Sequence, residues 1–456
     1  AVPEYLDHTR VAYLVRDEGF AHEAIDDLRI AGEGRMEDLG GGAASVVVRG
    51  DVNPGGAALG DEARTKRAHV LLAPTINIHR SPIGGRNFEC YAEDPELSGR
   101  LAAAFVRGVQ SRRVACTPKH FVANDAEFER NTIDSVVDER ALREIYLRPF
   151  ELAVTEGGAW GLMAAYNRLN GTFCSEHEWL LRTVLRDEWG FDGFVVSDWF
   201  AARSTAASAI AGLSLEMPGE GTYYGPKLRE ALDAGEIDEA TLERIASDML
   251  VVLERTGAID TAGDSEEKPL DRLEDRALAR EAAVAGTVLL RNDGVLPLDA
   301  GAVSSVAVIG PNAHHARVMG GGSAKVRAYR ATSPLDALTD RLGPGADVRY
   351  EKGCDIDRTT PALARPYLTG DVAVEYFDGH TFDGEPAATS TLSAMSLLAF
   401  GEPAAGVSAE AYAARVTATV AATVTGTHEL RLVQAGRARV IIDGAVVLDA
   451  TEGEYE

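Results

Sequence analysis

The stretch GFDGFVVSDW, residues 190–199, decides how this chain is read. A strand-forming run, Phe194, Val195 and Val196, ends abruptly in Ser197, a carboxylate at Asp198 and an indole at Trp199. A hydrophobic strand that carries a carboxylate at its C-terminal tip is how a parallel barrel presents a reactive group to a substrate. The competing reading is a strand-end Asp that caps the next helix. Three further runs of the same form weigh against it: AHVLLAPTINIH at 68–79, VACTPKHFVAND at 114–125 and WGLMAAYN at 160–167. Apolar runs that end in polar residues and alternate with helix-like segments predict an α/β fold of the (β/α)8 type, a TIM-like barrel with its chemistry on one face.

Six motifs lie in order between about Gly60 and Gly219: SPIGGRNFE at 81–89, EDP at 93–95, KHF at 119–121, MAAYN at 163–167, SDW at 197–199 and LEMP at 215–218. Together they resemble the glycoside hydrolase family 3 β-glucosidases. The resemblance implies a retaining, exo-acting enzyme that removes terminal β-D-glucosyl residues through a covalent glycosyl intermediate. That chemistry needs two carboxyl groups about 5 Å apart, one nucleophile and one acid/base.

Asp198 matches the family's nucleophile. Arg86, Lys119 and His120 match positions that hydrogen-bond the hydroxyls of the bound sugar, where a charged donor fixes ring orientation. For Arg86 the structural alternative is a loop ion pair with Glu89 or Glu93. Lys119 and His120 are adjacent, so on a regular strand one of them points away. Met163 and Tyr166 match positions that line the same pocket, although a Met on a barrel strand is also ordinary core filler. Trp199 matches a residue that stacks on sugar, as an aromatic face suits a pyranose. Asn124 and Arg130 are expected to support these groups from behind.

Two departures from the family pattern stand out. The family's early Asp-Gly-Pro is replaced by LRIAGEG at 28–34, where Glu33 is a substitute that the pattern does not assign, and the helix usual between 57–60 and 61–64 is missing. The family's acid/base, a Glu in the second domain, has no match before Glu456. The sequence therefore reads as a partial chain whose acid/base comes from the rest of the polypeptide or from a companion chain.

The 456 residues exceed one ordinary domain, and 45% hydrophobic content allows real cores. Acidic residues number 71 against 45 basic ones, a net charge of −26, which disfavours nucleic acid and anionic membranes as partners. A neutral small-molecule glucoside fits; a homodimer stays open. No apolar run reaches the roughly 18 residues of a membrane span. The chain starts at Ala1, so a processed N-terminus is expected, and secreted and cytoplasmic locations both stay open. Cys90, Cys116, Cys174 and Cys354 lack zinc-site spacing and read as reduced and packed, and the ten histidines form no ligand cluster; no metal or organic cofactor is implied.

Barrel character covers 1–255, and 138–147 within it has the spacing of an amphipathic helix with Leu142, Ile145 and Tyr146 inward. A linker rich in small and charged residues follows at 256–276. The start of an α/β sandwich domain is expected at 277–364, with a helix over 277–290 and a buried strand over 305–311. The glycine run Gly320 to Gly322 lacks the Lys-Ser/Thr pair of a phosphate-binding loop and reads as a flexible loop near the active-site mouth. From 365 to 456 short alternating segments at 371–377, 429–433 and 438–448 predict a β domain. Its Ile442-Asp443-Gly444 turn resembles a PA14 β-sandwich, here an incomplete insert. The alternatives are a related β-xylosidase or β-N-acetylglucosaminidase and, from a different class, a carbohydrate-binding protein without catalysis. Against the N-acetylglucosaminidase, Lys119-His120-Phe121 is followed by Val122 and not by Pro-Gly.

Overall fold

The structure is a computed structural model that describes residues 53–451, except 220, 261–266, 325, 327, 357–360, 398, 400–401, 409–410, 424 and 435, together with three short strands at Val11–Ala12, Leu28–Arg29 and Val47–Val48. The chain divides into two compact units, Ala1–Glu351 and Lys352–Glu456. Glu33 and the middle of the expected linker lie outside the described residues. No helix among the described residues is long and apolar enough to cross a membrane.

In the first unit the apolar runs form parallel neighbours in chain order. Val11–Ala12 pairs with Val70–Leu71, which pairs with Ala115–Cys116, and the ladder continues through the bridge from Thr75 to Lys119. Phe121 bridges to Ala164, strand Gly161–Ala164 pairs residue for residue with Phe194–Ser197, and Val196 bridges to Leu215. Parallel neighbours require crossovers, and helices supply them. Helix Pro95–Gln110 starts on an N-cap, Asp94, whose side chain accepts from the Leu97 amide at 3.0 Å, with Pro at the first turn. It packs against helix Arg148–Thr155. All four residues of each strand in the Gly161–Ala164 and Phe194–Ser197 pair are buried, as expected of parallel strands covered on both faces. The resulting core joins Ile76, Phe121, Phe150, Leu162, Val195 and Leu213.

Two glycines let these strands approach. A Cβ on Gly193 would lie 2.2 Å from the Trp160 carbonyl oxygen, and one on Gly161 would lie 2.6 Å from the Phe194 ring. Gly193→Ala is expected to destabilise the fold by about 1–3 kcal/mol through overpacking against backbone. Thermal unfolding measures it, and an unchanged midpoint contradicts the close approach.

Several expected elements differ in detail. Segments 57–60 and 61–64 run on as one helix, Pro54–Thr65. Residues Leu142–Tyr146 form a π turn in which the Leu147 amide donates to Leu142 five residues back, and Ile145 is left partly exposed while Leu142 stays buried. The helix expected over 277–290 is Leu273–Gly286, beginning inside the stretch read as linker and ending at Gly286 before the β-branched pair Thr287 and Val288. Strand Ser305–Ile309 forms as expected but is largely exposed, because among the described residues its sheet has one other strand, Asp347–Glu351. All four cysteines are free; Cys354 is exposed, unlike the other three.

The second unit is antiparallel. Strand Leu368–Asp378 lies between Ala388–Leu392 and Tyr412–Val420 over a small core of Val374, Tyr376 and Val407. Strands Ala438–Ile442 and Ala445–Ala450 form a hairpin whose turn residues, Asp443 and Gly444, both have positive φ, 47° and 80°. Asp-Gly suits such a turn because both residues tolerate the left-handed region. The alternating segment 429–433 is irregular.

Candidate active site

Asp198 is the first residue after strand Phe194–Ser197, and its amide donates to the Ala164 carbonyl at 3.1 Å, so the neighbouring strand fixes its height. The residue is 8% exposed. Its Oδ1 accepts from the Trp199 amide at 2.7 Å, and the Tyr166 hydroxyl donates to the same carboxylate. Burial raises the Asp198 pKa; the Trp199 amide, the Lys119 and Arg86 charges and Tyr166 oppose that rise without cancelling it.

Lys119 and His120 follow strand Ala115–Cys116, Lys119 in the isolated bridge to Thr75, and both are 2% exposed. His120 Nε2 lies 3.4 Å from Asp198 Oδ2 and 2.9 Å from Arg86 Nη1. Arg86 is held from its other side by Glu89, with Nε to Oε1 at 2.5 Å and Nη2 to Oε2 at 2.9 Å. Glu89 Oε2 also accepts from Thr75 Oγ1 at 3.0 Å. Burial alone would raise the Glu89 carboxyl, but Arg86, Lys119 and Thr75 hold it below its ordinary value. Two cations, Arg86 and Lys119, thus face two carboxylates, Glu89 and Asp198, an arrangement that offsets the cost of burying charge. The Arg86 ion pair expected as the structural alternative is present, and it aims the guanidinium at the site.

Tyr166 is buried with the Arg130 guanidinium 4.7 Å from its ring centre, and Arg130 Nη1 donates to Glu127 Oε2 at 2.7 Å. Asp198, Arg86, Lys119, His120 and Tyr166 therefore form one cluster, with Arg130 behind it. Met163 is 1% exposed and lies in an apolar cluster with Leu72, Phe194, Val196 and Met217, which Trp199 packs against. The cavity of about 250 Å³ beside Trp199 is mostly apolar, bounded by Leu72, Phe194, Val196, Leu215 and Met217 among others. A sugar needs convergent hydrogen-bonding groups, so the polar cluster and not this cavity marks the site. Sequence reasoning gave Glu89 only as an alternative partner and gave no role to Thr75, Asn77 or Glu127. No group of three or more candidate metal ligands occurs among the described residues.

The Gly320 to Gly322 run lies close by: a Cβ on Gly320 would stand 2.3 Å from the Phe88 ring, next to Glu89.

Burial, with the Arg86 charge second, brings Lys119 down to about 8 against Glu89 and Asp198. The lysine is then charged below that pH and neutral above it. Sugar binding and kcat/KM are expected to fall as pH rises through about 8, which a pH profile of both quantities checks; a flat profile to about pH 10 removes Lys119 from the site.

Two family models match, the glycosyl hydrolase family 3 N-terminal domain over residues 43–251 and the family 3 C-terminal domain over residues 287–444. The chain belongs to glycosyl hydrolase family 3. Within that family it is 48% identical over 398 residues to a β-glucosidase of Rhizobium radiobacter, an alignment covering 87% of this chain and 48% of the relative. It is 38% identical to a probable β-glucosidase K of Aspergillus fumigatus, over 87% of this chain and 51% of that protein. The chain spans about half the length of these curated relatives. Among solved structures, a β-glucosidase of Kluyveromyces marxianus superposes with TM-score 0.67 at 34% identity, over 75% of this chain and 42% of that one. A β-glucosidase of Streptomyces venezuelae in complex with D-glucose gives TM-score 0.62 at 30% identity, over 83% and 57%.

Proposed function

We propose that this chain carries the nucleophile half of a retaining, exo-acting β-glucosidase site. The observation that carries the reading is Asp198 at a strand tip, buried, bonded by Tyr166 and the Trp199 amide, and facing Lys119, Arg86 and His120. In this mechanism Asp198 attacks the anomeric carbon, the bond to the leaving oxygen breaks, and water later releases glucose from the glycosyl ester. Arg86, Lys119 and His120 bind sugar hydroxyls, and Trp199 offers its ring to the sugar face. Met163 is retained in the proposal as a wall residue beneath Trp199.

The fold proposed around this site is a (β/α)8-type barrel, with 277–364 as the start of an α/β sandwich and the β unit as a PA14-like insert. The antiparallel strands of the second unit and the Asp443-Gly444 hairpin support the β insert. The acid/base carboxyl is proposed to lie outside residues 1–456, on the same polypeptide or on a companion chain. The expected partner is a small neutral glucoside. Incubation of the chain with an activated 2-deoxy-2-fluoro-β-glucoside, which needs no acid to expel its leaving group, is expected to add one fluoroglucosyl unit to the peptide holding Asp198. Mass spectrometry reads it. Label on another carboxylate refutes the assignment, and no label at all favours a carbohydrate-binding protein without catalysis. Parallel assays on aryl β-glucoside, β-xyloside and β-N-acetylglucosaminide are expected to favour the glucoside.

A further inference from the structure

Asn77 stands on the run neighbouring His120, where the Ile76 amide donates to the Lys119 carbonyl at 2.8 Å. Its side chain is buried, and all three of its hydrogen bonds go to His120. Oδ1 accepts from the His120 backbone amide at 2.8 Å, Nδ2 donates to the His120 carbonyl at 3.0 Å, and Oδ1 lies 3.2 Å from ring atom Nδ1. A backbone amide only donates and a carbonyl only accepts, so these two bonds settle which end of the Asn77 amide is oxygen. Ring atom Nδ1 therefore faces an acceptor and carries the proton. On the far side of the ring Arg86 Nη1 lies 2.9 Å from Nε2, and a guanidinium has only donors, so Nε2 presents its lone pair. Two independent contacts specify the same neutral tautomer. The 3.4 Å approach of Asp198 Oδ2 to Nε2 is then lone pair against lone pair and not an ion pair.

We propose that Asn77 is a positioning residue that locks His120 as the Nδ1-protonated neutral imidazole, so that Nε2 accepts the proton of a substrate hydroxyl. The inference rests on the β-glucosidase reading for the identity of that substrate. The charged groups facing the ring are Arg86 from the 81–89 loop, Lys119 beside it, Arg130 from the following loop and Asp198 from the next strand tip. Burial first, then the three cations, holds the imidazole well below its ordinary pKa, consistent with a neutral ring. A hydroxyl lodged here displaces Arg86 Nη1 from the Nε2 lone pair, donates to His120 in its place and accepts from Arg86 or Lys119, which gives the bond a direction. A sugar fluorinated at that position accepts but cannot donate, and it loses the His120 contact.

The full chain labelled with [15N]histidine tests this without substrate, with His120 assigned by its disappearance in His120→Gln. Imidazole spectra are expected to place its proton on Nδ1 from about pH 5 to about pH 8. A proton on Nε2, or exchange between the two tautomers, overturns the proposal before any variant of Asn77 is made. Asn77→Leu keeps the bulk and removes the acceptor; it is expected to mix the tautomers and to lower kcat/KM roughly tenfold to hundredfold, the usual loss for a partner that fixes a ring's tautomer. Asn77→Asp keeps the acceptor and adds negative charge beside the ring. That charge raises the His120 pKa, which the imidazole nitrogen shifts read directly, and the acid limb of kcat/KM, set by Asp198 and His120 together, moves to higher pH. If both variants lower the melting temperature but leave the tautomer and the acid limb as in wild type, Asn77 is merely structural. If Asn77→Leu does not fold, the wild-type spectrum and Asn77→Asp still decide. A wild-type protein that takes no label from the activated 2-deoxy-2-fluoro-β-glucoside sinks the β-glucosidase reading alone, because the tautomer is read without turnover.

Discussion

On the proposed β-glucosidase reading, Asp198→Asn is expected to lower turnover of an activated aryl β-glucoside, whose leaving group needs no acid, by roughly 10⁴-fold or more while the protein melts near the wild-type temperature. An amide cannot attack the anomeric carbon, so no glycosyl intermediate forms. The substitution also fits its surroundings. The amide oxygen takes the place of Oδ1 and accepts from the Trp199 amide, and the NH2 group takes the place of Oδ2, which removes the lone-pair contact of 3.4 Å with His120 Nε2. Activity within about tenfold of wild type, measured on protein free of wild-type contamination, assigns the nucleophile elsewhere.

Lys119→Met lowers kcat/KM by about 10²–10³, the cost of removing one preorganised donor. Methionine fills the buried volume, so the loss reports charge and hydrogen bonding rather than a cavity. A second readout follows from the sign of the coupling. Lys119 holds the Asp198 pKa down against burial; without the cation that pKa climbs further, and the nucleophile is protonated at a higher pH than before. The acid limb of the pH profile therefore moves up, while the alkaline limb near pH 8 disappears because the lysine that titrates there is gone. An unchanged profile in both limbs makes Lys119 a structural cation for Glu89.

The residues that gather in the candidate site were largely legible in the sequence because most sit late in an apolar run, where strand periodicity stops and a polar group is left at the rim. Asp198, Lys119 and His120 follow that rule, and Arg86 came from its motif. Adjacent Lys119 and His120 both reach the cluster, which regular strand alternation forbids; only the bridges Thr75 to Lys119 and Phe121 to Ala164 flank them, so the backbone there is not a continuous strand. Asn77 also ended an apolar run, but a neutral amide carries no chemistry of its own and its role appears only when its three bonds converge on one histidine. Glu89 was seen as a partner for Arg86 and weighed as an alternative to binding. In the fold the ion pair and the aim of the guanidinium are one arrangement, since Arg86 has a second face for His120. The exposure of strand Ser305–Ile309 was not legible, because an apolar strand pattern records what a residue is built to pack against and not which neighbours are present.

The contact of Gly320 with Phe88 bears on how such proteins can be recombined. Phe88 and Glu89 belong to the loop that aims Arg86, yet the surface laid against that loop is encoded far downstream, after the composition break at 256–276 that looks like the natural place to cut. At roughly 5–20 residues per second, the strands that hold the candidate site emerge from the ribosome several seconds before the glycine run does. The first 255 residues transplanted from this chain, with a junction at the composition break, leave the Phe88 ring without Gly320 beside the Arg86–Glu89 pair. The unit that can be inherited intact runs past Gly322, so productive crossovers between relatives belong after the glycine run, and chimeras joined earlier must bring a glycine that matches the borrowed phenylalanine.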